Sequence, residues 1–481
     1  MSNKLTSSEI IEVLLKDEDY LLNLLYLVKE KRYLWYQKDK GYFKNLDPTE
    51  GELETKLFYY ITDYLNQSKV QYTQSQIKGH ILDHLRSRLP LYETSDIYDS
   101  VAPNYHKYNY IAVDDKVINL ATLDFEEPSP EKRALHYIPV ASEDVTTNNC
   151  PRFKKFLDEV LVNENHEPDT QLIDLMQWIF GYSLLNTTKG DVAFFFVGEG
   201  NNGKSIMADI LGELFPYEMR ASETIETLTT DKFSTSLLIG KKINICHEDE
   251  SERIAAGKFK ALVTGNPVKA ERKFQNAFIF YPKVKFVFCT NNIPEFKKVD
   301  HGLMRRVVII PFKKILKPKE VDTQIFHKLR NELPGILAWA LEGTRRIIDS
   351  GHFLPPAAGS SSDYLKEFTA SISNVSLFYQ DNLKRDDKTF YSNTKLYRLY
   401  KSWCGYSNRG AKTDRNFVTE MSRINFADQP HADRKYVGGK QVRGRMVKLS
   451  DESSLSLFCD DEDLQPDTID IDFENPESNP F

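Results

Sequence analysis

The sequence predicts an α/β fold, with a parallel sheet covered by helices, a mainly helical region ahead of it and a small basic module behind it. Three observations point there. Four short apolar runs, residues 192–197, 242–246, 284–290 and 306–312, alternate with helical segments, the pattern of strands buried on both faces of a sheet. A glycine-rich turn joins the first of these runs to a helix. Charge is also segregated: residues 391–450 hold thirteen Lys and Arg against four Asp and Glu, while residues 451–481 hold eleven acids and no Lys or Arg. The overall charge of −7 therefore hides a basic module followed by an acidic tail.

The 481 residues allow several domains with ordinary cores, and 41% apolar with 28% charged residues is the balance of a globular protein. No apolar stretch approaches the roughly 20 residues that span a bilayer, and the start of the chain lacks a basic, cleavable leader. No membrane partner and a cytoplasmic location are expected. Cys150, Cys246, Cys289, Cys404 and Cys459 are scattered without a CxxC pair, so they read as reduced, mostly buried thiols and not as a zinc site.

Along the chain, residues 1–107 read as mainly helical, because Ile10, Ile11, Leu14, Leu15, Leu21, Leu22 and Leu25 recur at roughly helical spacing. Residues 108–187 begin with alternating short strands around a turn at Asp114–Asp115 and continue as two helices. Residues 188–380 form the sheet core and a helical extension, residues 385–450 the basic module. Residues 451–481 read as a disordered acidic tail.

The turn Gly198-Glu199-Gly200-Asn201-Asn202-Gly203-Lys204-Ser205 fits GxxxxGK[ST] between a strand and a helix. Glycines allow the tight turn that aims backbone N–H groups at phosphates, and the helix N-terminus favours the same anion. Lys204 is expected to reach the β- and γ-phosphates of ATP, and the Ser205 hydroxyl to hold Mg²⁺. The next strand ends in His247-Glu248-Asp249. A carboxylate is needed there to organise Mg²⁺ and polarise the attacking water. Glu248 is the principal candidate: it is the base if His247 stands in the metal position, and if the acidic pair starts at Glu248 the base is Asp249. Asn291, at the end of the third strand, can hydrogen-bond that water. Arg305 and Arg306 precede the fourth strand, and either could stabilise transition-state charge from a neighbouring subunit. Lys269, Arg272 and Lys273 lie in an expected hairpin, bounded by the turn Gly265-Asn266-Pro267 and suited to single-strand phosphates; a solvated charged loop is the plain alternative, and alone the hairpin is weaker evidence than the other motifs.

Taken in order, the phosphate loop, acidic strand end, basic hairpin, TNN strand end and arginine pair within residues 198–306 resemble the superfamily-3 helicases of viruses, phages and plasmids. The likeness is to the helicase part of phage/plasmid and poxvirus-type primase-helicases. It implies a P-loop AAA+-type core, a homo-hexameric ring with ATP between subunits, and single-stranded DNA in the centre. It implies that Lys269, Arg272 and Lys273 contact that strand and that Arg305 or Arg306 is the arginine finger. The C-terminal stretch resembles a winged-helix module, with Arg415, Arg443 and Arg445 as candidate contacts to forked or origin duplex DNA. The acidic tail would compete with DNA for that module, dock a replication protein, or only solubilise the chain. Residues 1–107 lack a paired-aspartate metal site, so no primer synthesis is expected. Three readings stay open: a replicative helicase, an initiator without processive unwinding, and a P-loop ATPase acting on RNA or in DNA packaging.

Overall fold

A computed structural model describes residues 24–27, 32–46, 110–145, 150–249, 254–273, 276–291, 301–317, 322–351, 353–364, 374–407, 411–422, 432–450 and 461–469, with isolated positions between them. The chain divides into two compact units, residues 1–362 and 363–481.

The first unit contains strands where helix is expected. β1 (Leu24–Leu27), β2 (Arg32–Gln37), β3 (Tyr42–Leu46) and β4 (Leu91–Tyr92) form a sheet in the order β3-β2-β1-β4. The helical reading fails here because β1 is buried at all four positions, and a continuous apolar run has no period to separate strand from helix. The decisive signal is the turn between β2 and β3. Gly41 takes φ +68°, and the Lys40 and Gly41 N–H groups both donate to Gln37 O, at 3.1 and 2.8 Å. The rest of the helical reading, residues 10–22 and 53–65, falls mostly outside the described residues.

β5 (Tyr110–Ala112), β6 (Val117–Asn119) and β7 (Phe125–Glu126) form an antiparallel meander, with Asp114–Asp115 in its first turn. Two helices follow, α1 (Pro151–Val160) and α2 (Thr170–Leu184). The Asp169 carboxylate accepts from Gln171 N and Leu172 N and so caps α2.

The central sheet comprises β8 (Ala193–Val197), β9 (Arg220–Ala221), β10 (Ile243–Cys246), β13 (Lys285–Thr290) and β14 (Val307–Pro311). All its pairings are parallel, and the order is β14-β8-β13-β10-β9. The intervening elements are α3 (Lys204–Glu213), α4 (Ile225–Thr230), α5 (Ala256–Thr264), the hairpin β11 (Val268–Ala270) and β12 (Phe278–Phe280), and α6 (His301–Met304). Both faces of β8 are covered. Phe194 meets Trp178 of α2 at 6.2 Å between ring centroids, whereas Phe195 faces Phe288 and Phe259 at 5.4 and 6.4 Å. Such burial explains why each strand is apolar throughout.

After β14 come α7 (Ile325–Arg330) and α8 (Leu333–Ser350). α8 crosses α2 at two glycines, with the Thr344 hydroxyl donating to Gly181 O at 3.0 Å.

The second unit contains α9 (Asn374–Asn382), β15 (Leu383–Ser392), α10 (Asn393–Tyr406), α11 (Asp414–Met421), β16 (Ala432–Val437) and β17 (Lys440–Leu449). Its antiparallel sheet runs β15-β17-β16, and Phe378, Tyr400 and Phe417 pack its helices together. The β16–β17 turn is Gly438-Gly439, both at positive φ, as a tight hairpin requires.

The acidic tail is ordered where it is described, against expectation. α12 (Asp461–Leu464) buries Leu464 in the core of this unit. Asp467 accepts from Ser392 N at 2.6 Å, at the start of α10, and lies 3.6 Å from Lys395 Nζ; Asp463 lies 3.3 Å from Arg398 Nη1. An isolated leucine amid acids carries no periodicity, but the apolar socket and the cations that receive this segment supply what the tail alone lacks. Deleting residues 459–481 is expected to destabilise the second unit by about 2 kcal/mol, the worth of one buried leucine, read as a lower urea midpoint.

Candidate nucleotide site

Three segments leave the carboxyl ends of neighbouring parallel strands: the glycine-rich turn after β8, His247–Asp249 after β10, and Asn291 after β13. Ligands in open α/β sheets gather at this edge.

The turn is shaped by close contacts. Gly203 takes φ +84°, and a Cβ there would lie 2.7 Å from Val160 Cγ1; Asn201 also takes a positive φ, +59°. Asn202 is buried and spans the turn, donating from Nδ2 to Phe312 O at 3.2 Å and accepting from Lys204 N at 3.2 Å. Lys204, the first residue of α3, is buried, and its ammonium donates to Gly198 O (2.7 Å), Thr290 O (3.0 Å) and Asn291 Oδ1 (3.1 Å). Burial lowers its pKa, and the charge of Glu248 works against that shift. Ser205, Glu199 and Glu248 are exposed.

Lys204 and Asn291, 87 residues apart, therefore share a hydrogen bond. Thr290, the first residue of the TNN strand end, completes the lysine's shell through its backbone carbonyl, a role its side chain does not mark. A second partner was also missed. Asp209, one helical turn after Ser205, accepts from His247 Nε2 at 3.1 Å, and this hydrogen bond is the main cause raising the His247 pKa. The i, i+4 spacing of Ser205 and Asp209 was the available signal.

Three expected site residues are placed otherwise. Asp249 is 2% exposed and turned inward: its Oδ2 accepts from Ile225 N at 2.9 Å, at the start of α4. This leaves Glu248 as the exposed acid of the pair. Arg306 is buried, donating from Nη1 to Gly302 O and lying 3.9 Å from Asp191, while Arg305 is exposed. Arg445 is 4% exposed. On β17 the two-residue period puts Arg443, Arg445, Val447 and Leu449 on one face, and only Arg443, nearest the turn, is exposed. Arg415 on α11 is exposed.

The basic hairpin is present as β11–β12, with Lys269 opposite Ile279. The Gly265-Asn266-Pro267 sequence ends α5, with Gly265 as its left-handed cap, and leads directly into the hairpin at Val268. Lys269 lies 3.1 Å from Glu271, which also lies 3.6 Å from Lys232. The Arg272 guanidinium lies 5.8 Å from the Phe278 ring centroid, and Lys273 is exposed. Cys150, Cys246, Cys289 and Cys404 are buried free thiols and Cys459 is half-buried.

Residues 196–306 match a family of unknown function, DUF5906, nearly the span of the motif series, and residues 19–162 match a family described as D5 N terminal like. A protein of Acanthamoeba polyphaga mimivirus, named as a candidate helicase, is 25% identical over 313 residues. That match covers 59% of this chain and 31% of the mimivirus protein, so the chain spans about a third of that relative's length. Among solved structures, two apo forms of the NrS-1 C-terminal region align with 92% of this chain and 100% of their own. They share 14% identity with it, at TM-scores of 0.45 and 0.43. Among the described residues no helix is long and apolar enough to cross a membrane. The chain is thus similar to a family of unknown function, to a D5 N terminal like family and to a viral protein named as a candidate helicase.

Proposed function

We propose that the chain is an ATP-driven DNA helicase motor of the superfamily-3, AAA+ type, working as a ring in the replication of a phage, plasmid or other mobile element. The meeting of Lys204 with Asn291 beside the exposed Glu248 carries this reading. Charge, amide and carboxylate arrive from three parallel strands in the order β14-β8-β13-β10-β9, with the phosphate turn on an interior strand.

Lys204 exchanges its three internal acceptors for the β- and γ-phosphates, and the N–H groups of the 198–205 turn cradle the same oxygens. Asn291, released from the lysine, orients the attacking water. Among the described residues no three His, Cys, Asp or Glu side chains converge as a metal cage. The exposed Ser205 hydroxyl and Glu248 carboxylate would hold Mg²⁺, which takes few protein groups together with substrate phosphates and would neutralise phosphate charge. Arg305, not the buried Arg306, acts as the finger in a neighbouring subunit. The Lys269–Lys273 hairpin tracks single-stranded DNA. The order α9-β15-α10-α11-β16-β17 with its glycine-tipped hairpin supports reading the second unit as a winged helix, whose Arg415 and Arg443 touch duplex phosphates. The docked tail competes for the same unit by holding Lys395 and Arg398.

A forked-duplex strand-displacement assay tests the proposal. Wild type is expected to unwind with ATP, and Lys204→Ala to fail. Absent or ATP-independent unwinding favours an initiator that only assembles on DNA, and ATPase stimulation by RNA alone favours an RNA-directed or packaging ATPase. Arg305→Ala should lower hydrolysis by about 10³-fold yet regain activity when mixed with Lys204→Ala subunits, since each supplies what the other lacks. No regain on mixing would place the finger elsewhere.

A further inference from the structure

The strand-end sequence His247-Glu248 puts an imidazole where an acidic pair would offer a second carboxylate. The fold supplies that carboxylate from another element. Asp209 lies on α3 one turn beyond Ser205, on the same helical face, and its Oδ1 meets His247 Nε2 at 3.1 Å. His247 follows the last residue of β10 and precedes Glu248. A single hydrogen bond thus ties the helix that carries the Ser205 hydroxyl to the strand end that carries the Glu248 carboxylate.

Resting on the nucleotide-site reading above, we propose that Asp209 and His247 are a positioning pair that fixes the spacing of Ser205 and Glu248 for a nucleotide-bound divalent cation. Mg²⁺ demands near-ideal octahedral geometry at about 2.0–2.1 Å, so two donors on separate elements serve it only if their separation is held. Partners behind the first donors commonly change metal affinity by about 10- to 100-fold when removed. Both side chains are 41% exposed, and exposed ion pairs add little to stability. A merely structural bond therefore predicts almost no effect of its removal.

The test uses the full chain, Mn²⁺ as the probe and a non-hydrolysable ATP analogue, with bound Mn²⁺ read by electron paramagnetic resonance. Asp209→Ala and His247→Ala should each weaken Mn²⁺ binding about tenfold, and the double variant no further, because the pair acts as a unit. Analogue binding in EDTA should stay within twofold of wild type. Asp209→Leu, which is close to the size of the side chain but has no acceptor, provides the same reading should the alanine variant fold poorly. Mn²⁺ affinity within twofold of wild type in both single variants overturns the pair, as does additive loss in the double variant. Lys204→Ala separates the two levels. If it binds the analogue in EDTA as wild type does, the nucleotide site itself is wrong; if it loses binding while the pair variants bind Mn²⁺ normally, only the pair falls.

Discussion

Replacing Lys204 with alanine is expected to reduce ATP hydrolysis by about 10²- to 10³-fold, the usual loss when one preorganised charge-stabilising donor is removed. Two effects combine. The ammonium that would meet the phosphates is gone, and Gly198 O, Thr290 O and Asn291 Oδ1 lose the donor they now share. The turn should survive, because its shape rests on Asn202, which bonds Lys204 through the backbone N–H and Phe312 through its carbonyl. A melting temperature close to wild type with hydrolysis near background is therefore the expected pair of results. Hydrolysis within tenfold of wild type would remove Lys204 from the chemistry. Asn291→Ala should behave differently: it deletes only one of three acceptors, so nucleotide binding persists while turnover falls.

The largest expected effect on stability lies away from the site, where α2 crosses α8. A Cβ on Gly181 would fall 2.4 Å from Thr344 N and 2.8 Å from Ala340 O, and one on Gly343 would fall 2.3 Å from Gln177 O. These neighbours are backbone atoms inside helices, so no rotamer change relieves the overlap and the helices must separate. Separation would stretch the Thr344–Gly181 bond and that from Gln177 Nε2 to Trp339 O, 2.9 Å. Gly181→Ala is expected to cost about 3 kcal/mol, seen as a lower denaturant midpoint. Gly257→Ala in α5 is the control. Nothing lies within 4 Å of its added Cβ, and alanine's higher helix propensity should leave stability unchanged or raise it by up to about 1 kcal/mol. Equal midpoints for the two variants would show that the crossing tolerates more separation than these distances imply.

Much of the central sheet was legible. Phe194, Phe195 and Phe196 in succession demand burial on both faces, and a glycine-rich turn followed by Lys-Ser demands a strand before it and a helix after. The N-terminal strands were not legible in the same way. Leu24–Leu27 gives an apolar run without a period, and its strand identity comes from antiparallel pairing with Arg32–Gln37. The tail misled for a related reason: its acids forecast solvation, yet Leu464, Asp463 and Asp467 each find a partner on a distant element.

Sequence alone determined which residues the chain brings to its strand ends: a glycine-rich turn ending in Lys-Ser, an acidic and an amide strand end, adjacent arginines and a segregated basic module. These are local patterns, set by spacing along the backbone. Tertiary structure decided which member of each pair faces outward. Glu248 is exposed while Asp249 turns in to meet the start of α4, Arg305 is exposed while Arg306 is buried near Asp191, and Arg443 is exposed while Arg445 is buried. Neighbouring residues of like charge are equivalent until packing removes water from one of them, and that removal depends on elements far away in the chain. The partnership of Asp209 with His247 has the same origin, since the contact exists only once α3 lies beside β10.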